Sequence, residues 1–360
     1  MNIVLDDRLL KNLSCACFPE KIIVYLMDMA YNLFPYWKGE VSMKNRIETF
    51  RGSEHFRLNH VADSVIAAIA VPGTGSLGNA AIIDLGDTTL VVDTFSTIQA
   101  AEDLKAAAEY LTGNPVSYVI NTHWHSDHTS GNQVFLPAAQ IISTSTTREV
   151  MNTFARDRLA QYRENTEQMV QAIEEFEEQI QQETDEKLKK EMEWENASDR
   201  EFMKMLPDLV HSLPTITFDQ QVTIHGSNRS IVLLTFGGGH TQSDAIVYIP
   251  EDKILIIGDL VLSKHHPVLA YANPQEWLNI LEQVELLDVE AIVPGHGEVC
   301  SLQELHEVKG YLTYIMEIVA EAVQNKQSID EIDIPEVYHN WYFTTYFKTN
   351  LNKVYDIITN

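Results

Sequence analysis

The stretch from Thr122 to Asn132 reads Thr-His-Trp-His-Ser-Asp-His-Thr-Ser-Gly-Asn, with three imidazoles and one carboxylate between positions 123 and 128. It closely follows the apolar run Val116–Ile120. Side chains at i and i+2 of an extended chain point the same way, so His123 and His125 can face one metal ion where a strand ends. Asp127 and His128 come after the chain reverses and can face a second ion. Imidazole nitrogen and carboxylate oxygen are ligands that suit zinc and similar borderline ions. Thr129, Ser130 and Asn132 stand where they can cap a following helix. The plain alternative is a polar loop that happens to be rich in histidine. Four ligands do not fill two sites, so the metal reading requires more donors downstream.

Three further candidates recur beside glycine at the ends of apolar runs: His240 after Gly237-Gly238-Gly239, Asp259 after Gly258, and His296 between Gly295 and Gly297. Each alone has an innocent explanation as a turn residue, a cap or a satisfied core histidine. Together they complete a count. His123, His125 and His240 offer three nitrogens to one ion. Asp127, His128 and His296 offer three ligands to the other, and Asp259 can bridge the two.

Around these residues the pattern is mixed α/β. From Val61 onward, short apolar runs at 65–70, 80–84 and 89–93 read as strands, with Gly86-Asp87 as a hairpin turn. Gly73, Gly75 and Gly78 read as a turn, since no strand-to-helix context supports a phosphate cradle. Residues 96–110 carry apolar side chains at helical spacing. The segment 146–213 is rich in Glu, Gln, Lys and Met, lacks Gly, and reads as two or three helices protruding from the core. It is either a solvated spacer or, as favoured here, a partial lid beside the ligand motif; it could also serve as a homodimer arm. Strands resume from 215, with the run 253–257 ending at Gly258-Asp259. The main domain is thus expected over 43–305, with a helical, aromatic segment over 306–360. Residues 1–42 do not resemble the rest of the chain and read as an extension or a consequence of start-site choice.

The net charge of -27 repels phosphate backbones and anionic surfaces, which disfavours nucleic acid or a membrane as main partner. Cys15, Cys17 and Cys300 form no disulfide framework, which fits a reducing, cytoplasmic setting. No transmembrane run and no signal-peptide order is visible.

The series His-x-His-x-Asp-His, Gly-His, Gly-Asp and Gly-His-Gly, in this order over roughly residues 60–305, resembles the metallo-β-lactamase-fold hydrolases. The resemblance implies an αββα sandwich with two zinc ions, iron or manganese being alternatives, at one edge. It implies that Asp93 supports the ligands from behind. It further implies a metal-bridging hydroxide that attacks a carbonyl carbon, with Asp127 or Asp259 moving the proton. Common β-lactamases of this fold carry Cys where this chain has Asp259, which is similar to the hydroxyacylglutathione hydrolases and lactonases instead. The expected activity is cleavage of an ester, lactone, thioester or amide-type bond in a small molecule. β-Lactam hydrolysis, or iron-dependent redox chemistry on the same fold, are the alternatives. Lys264, His265 and His266 are candidates to bind a substrate carboxylate, against the alternative of a polar surface loop. Tyr338, Trp341 and Phe343 could wall the pocket or belong to the core.

Overall fold

Alternation of apolar side chains decides the architecture, because successive residues of a strand leave on opposite faces. In the computed structural model, which describes residues 43–359, a short helix α1 (Met43–Thr49) precedes four strands, β1 (Phe56–Ala62), β2 (Val65–Ala70), β3 (Ala80–Asp84) and β4 (Thr89–Val92). Helix α2 (Ile98–Thr112) and strand β5 (Val116–Ile120) follow, then the ligand loop, a helical turn α3 (Ser126–Thr129), a 3-10 turn at Ser130–Val134 and β6 (Gln140–Thr144). The proposed extension over 1–42 lies outside the described residues.

A helical block comes next: α4 (Ser145–Val150), a π-turn at Met151–Ala155, α5 (Arg156–Glu164), α6 (Thr166–Gln182) and α7 (Glu186–Met205). The chain then returns to strands β7 (Ile216–Phe218), β8 (Gln221–His225), β9 (Ser230–Thr235), β10 (Ala245–Ile249) and β11 (Ile254–Leu262). It ends with α8 (Pro274–Val284), β12 (Ala291–His296), α9 (Leu302–Asn325) and α10 (Tyr346–Thr359).

One sheet runs β1-β2-β3-β4-β5-β6-β7 and the other β12-β11-β10-β9-β8. The first is antiparallel up to β4 and parallel from there on; in the second only β11 and β12 are parallel. On β2, Val65, Ala67 and Ile69 point into the core between the sheets, where they meet Val247, Ile254 and Ile256. Ile66 and Ala68 point the other way and pack under Ala100, Leu104 and Leu111 of α2. Leu255 and Ile257 of β11 leave the opposite sheet outward, against Trp277 of α8, Leu312 of α9 and Phe347 of α10. Each such aliphatic side chain contributes roughly 1.5–3 kcal/mol by leaving water. The result is the expected order of helix, sheet, sheet and helix.

Three local expectations need correction. The first strand, β1, begins at Phe56, five residues before Val61; its Arg57, Asn59 and His60 make an edge strand that lacks the apolar run of its neighbours. β11 does not stop at Gly258-Asp259 but continues to Leu262, with its pairing to β12 shifting register on both sides of Gly258. The insertion does not simply protrude. Lys187 of α7 donates to the carbonyls of His339 (2.7 Å) and Trp341 (2.6 Å), Glu191 accepts from the Thr344 amide, and Trp194 packs on Tyr342. α7 is thereby tied to the segment between α9 and α10, which carries two short 3-10 turns, at Ile329–Glu331 and Glu336–Tyr338, instead of a continuous helix. No helix among the described residues is long and apolar enough to cross a membrane.

Candidate metal centre

β4 and β5 lie side by side and parallel, so the residues that follow them emerge at the same sheet edge. Asp93, just after β4, takes a left-handed backbone (φ 59°), which aspartate tolerates better than most residues. Its Oδ1 accepts from the Thr122 amide at 2.8 Å. Its Oδ2 accepts from the Thr122 hydroxyl at 2.7 Å and from His128 Nδ1 at 2.8 Å. With its proton on Nδ1, His128 presents the lone pair of Nε2 inward. The Thr122 oxygen, having donated to Asp93, accepts in turn from His123 Nδ1 at 3.0 Å, which leaves His123 Nε2 as that ring's lone pair. A single buried carboxylate thus orients two imidazoles.

The polar residues after His128 do other work than capping. No side-chain cap bond opens the 3-10 turn. Thr129 donates back to the His125 carbonyl at 2.9 Å. Asn132 is buried and exchanges two amide hydrogen bonds with Asn121, at 2.9 and 3.0 Å. A buried amide needs partners on both ends, and this pair pins the start of the ligand loop to its end.

His240 is held by a residue that its own stretch of sequence does not single out. The buried Asp244 accepts from the amides of Gly239 (2.8 Å), His240 (3.0 Å) and Thr241 (3.1 Å), gathering the loop around one carboxylate. Gly239 is needed because a Cβ there would lie 2.8 Å from the Trp277 backbone. Gly78, part of the loop read as a simple turn, packs against the site itself: a Cβ would sit 2.6 Å from His128 Nε2.

All seven candidates converge. Donor atoms of His123, His125, His240 and Asp259 lie within 4.8 Å of one another, as do those of Asp127, His128 and His296. Asp259 Oδ2 is 3.3 Å from His240 Nε2 and 3.4 Å from His296 Nε2, while Oδ1 is 3.2 Å from His128 Nε2, so its carboxylate touches both groups. Asp127 Oδ2 lies 3.3 Å from both His128 Nε2 and His296 Nε2. His123 Nε2, His125 Nε2, His128 Nε2 and Asp259 Oδ1 are buried without a hydrogen-bond partner. Such atoms cost roughly 1–3 kcal/mol each when unsatisfied. A cluster of inward-facing lone pairs is the arrangement that could hold metal ions.

The electrostatics divide the two groups. Burial, reinforced by the neighbouring His240, pushes His125 down to about 3, and burial likewise pushes His123 well down, so both are neutral and able to ligate. Burial opposes charge on His296 too, yet Asp259 and Asp127 raise it to about 9. His128 is also raised, against its burial, by Asp127, Asp259 and Asp93.

The loop after β11 is only partly at the site. His265 lies with its ring centre 6.1 Å from that of His296 and packs on Phe343. Lys264 turns away, its ammonium bound by Glu307 of α9 at 2.5 and 2.7 Å. His266 is a buried core histidine, 3.1 Å from the Tyr311 hydroxyl and packed on Trp341 and Phe347. The expectation that these two contact substrate is therefore corrected. Tyr338 and Trp341 likewise belong to the core.

Comparison with known proteins agrees with this geometry. The pattern of the metallo-beta-lactamase superfamily matches residues 73–296. A metallo-beta-lactamase from Pontibacter korlensis superimposes with a TM-score of 0.51 at 18% identity, over 72% of this chain and 99% of that one. DIM-1 metallo-beta-lactamase does so at 0.50 and 18%, over 72% and 98%. At such identity the likeness concerns the fold alone. The match nevertheless runs from the glycine loop beside His128 to the last histidine of the cluster, and on it the chain belongs to the metallo-beta-lactamase superfamily.

Proposed function

We propose that this chain is a dinuclear metallohydrolase, zinc-loaded, that cleaves an ester, lactone, thioester or amide-type bond of a small molecule. The observation that carries the proposal is the convergence of seven donors with buried, unpartnered imidazole nitrogens. His123, His125 and His240 would hold one ion and Asp127, His128 and His296 the other, with Asp259 reaching both. Divalent ions held there would supply Lewis acidity, bringing the pKa of water down to about 7 and polarising a carbonyl. The chain's own residues do the rest. Asp93 Oδ2 retains the Nδ1 proton of His128 and so keeps that ring aimed inward. Among the described residues, Asp127 and Asp259 are the two carboxylates with oxygens beside the inward-facing Nε2 atoms, and theirs are the oxygens placed to accept a proton there. Trp124, buried beside His125, excludes water from that flank.

β-Lactam cleavage is the second reading, favoured by the names of the solved neighbours. Elemental analysis and a hydrolysis panel of lactones, thioesters, β-lactams, phosphodiesters and sulfate esters test both. About two zinc ions per chain with turnover of a carbonyl substrate supports the proposal. Bound iron with no hydrolysis anywhere in the panel would favour the redox alternative and overturn it.

Zinc uptake should release protons. His296, raised to about 9, is charged in the metal-free protein at neutral pH and must lose a proton to ligate. In the metal-free protein the His296 contribution to stability is fully present below its ordinary value of 6.5 and is lost as pH rises through about 9. Calorimetry in two buffers of different protonation enthalpy should show at least about one proton displaced per chain near pH 7. Uptake without proton release at pH 7 would contradict this.

Asp93→Ala should weaken zinc binding by about 10–100-fold, because His128 and His123 lose the group that orients them. Competition with a chromophoric chelator measures it. Wild-type affinity in the variant would show that the Asp93 bonds are incidental.

A further inference from the structure

Beside the cluster lies a half-open cavity of about 470 Å³, lined by Phe154, Asp157, Arg158, Gln161, Tyr162 and Tyr271. Most of its wall comes from the helical insertion. Phe154 sits in the π-turn Met151–Ala155, a rare form of helix found disproportionately at functional sites. Its ring is 5.3 Å from Trp124 and 5.5 Å from Tyr271, and Trp124 and Tyr271 are 5.0 Å apart. The same rings reach His125, at 4.5 Å from Trp124 and 5.7 Å from Tyr271. An aromatic wall therefore runs without a break from a ligand histidine to the cavity. Phe154 remains 44% exposed, a large apolar face left open beside it.

Arg158 stands at the far end of that wall. Its guanidinium donates to the hydroxyls of Tyr162 and Tyr271 and lies 5.3 Å and 6.0 Å from their ring centres. Both partners are neutral. No carboxylate among the described residues pairs with Arg158, although the chain carries 52 Asp and Glu against 25 Lys and Arg. Asp157, in the same cavity, is bound at 2.9 Å by Arg156. A half-buried guanidinium steadied by hydroxyls, with its charge unanswered, is a fork suited to a carboxylate or similar anion.

We propose that this cavity is a substrate subsite. The flat apolar body of the substrate lies on Phe154 and Tyr271, which the buried Trp124 backs, an anionic group remote from the cleaved bond is bound by Arg158, and the cleaved bond lies toward His125. Only the position of the cleaved bond rests on the hydrolase reading; the binding preference does not.

The test is therefore a binding test. The full-length, zinc-loaded protein is titrated with 2-naphthalenesulfonate, a weak zinc ligand, and with the neutral methyl sulfone of the same ring, by calorimetry. Wild type should bind the sulfonate at least about ten-fold more tightly than the sulfone. Arg158→Met should abolish that preference, bringing the sulfonate down to the affinity of the sulfone, while Phe154→Ala should weaken both ligands. Arg158→Gln keeps a donor for the two hydroxyls and should behave as Arg158→Met does, which covers the case of one variant failing to fold. Equal affinity for the two ligands in wild type, or a preference that survives both Arg158 variants, would overturn the proposal. Absence of hydrolysis across the substrate panel would sink the hydrolase reading and leave this result standing.

Discussion

Asp259→Ala is expected to lower turnover of whichever panel substrate proves best by about three orders of magnitude or more, and to leave one metal ion per chain or fewer. The reason is position. Among the described residues, the imidazole nitrogens that Asp127 Oδ2 contacts at 3.3 Å are those of His128 and His296. Asp259 faces His123 (3.9 Å) and His240 (3.3 Å) on one side and His128 (3.2 Å) on the other, so its loss strips a donor from both groups at once. Three orders of magnitude correspond to about 4 kcal/mol of transition-state stabilisation, the scale expected when a polarising ion is lost. That is well above the one to two orders expected for a supporting residue such as Asp93, so the ranking itself separates a ligand from a prop. His123→Ala removes a donor from one group only and should retain about one ion, with an intermediate loss of turnover. Asp259→Asn keeps the shape and removes the charge, and should resemble the alanine variant in metal content. Circular dichroism confirms that each variant is folded. Wild-type turnover in both Asp259→Ala and His123→Ala would end the dinuclear hydrolase reading.

Much of this arrangement was legible in the residues because the donors are local in sequence or flagged by glycine. β2, β3, β5 and β10 coincide with apolar runs that the alternation and the turns delimit on their own. His240, Asp259 and His296 stood out because glycine beside a potential ligand signals close packing, and the glycines directly adjoining them, Gly239, Gly258, Gly295 and Gly297, do each meet another segment. What the residues did not disclose depends on contacts between distant elements. Asp244 looked like one more polar residue of a turn, and only the folded loop shows it collecting amides. The continuation of β11 through Gly258-Asp259 arises from a register shift against β12, which no single strand's pattern contains. His266 and Lys264 resembled site residues from their nearness to Asp259 in the chain. Their side chains are claimed instead by Tyr311 and Glu307, both of α9 and more than forty positions away. The aromatic wall needed three segments, around Trp124, Phe154 and Tyr271, to be seen together.

Gly295→Ala should be among the most damaging single methyl additions at the edge that carries the donor cluster. Gly295 has no positive φ, so the case is one of space and not of backbone preference. A Cβ built there overlaps Asp259 Oδ1 outright and lies 2.7–2.8 Å from the backbone of Gly258 and Asp259. Atoms cannot share that volume, and the backbone contacts cannot be relieved by turning a side chain. Either the Asp259 carboxylate swings out of the cage or β12 separates from β11 at the register shift. Overpacking of this kind costs about 1–3 kcal/mol in fold stability. The larger effect falls on the metal, whose affinity should drop at least about 100-fold because the displaced group is the one that touches both donor sets. Gly310→Ala supplies the contrast. Gly310 lies inside α9 and a Cβ there would meet nothing nearer than the Tyr338 hydroxyl at 3.5 Å, so alanine should be neutral or stabilising by about 0.5–1 kcal/mol. Chemical denaturation and chelator competition on the two variants make the comparison. Zinc affinity in Gly295→Ala equal to that in Gly310→Ala would mean that Asp259 does not hold metal from the position the fold gives it.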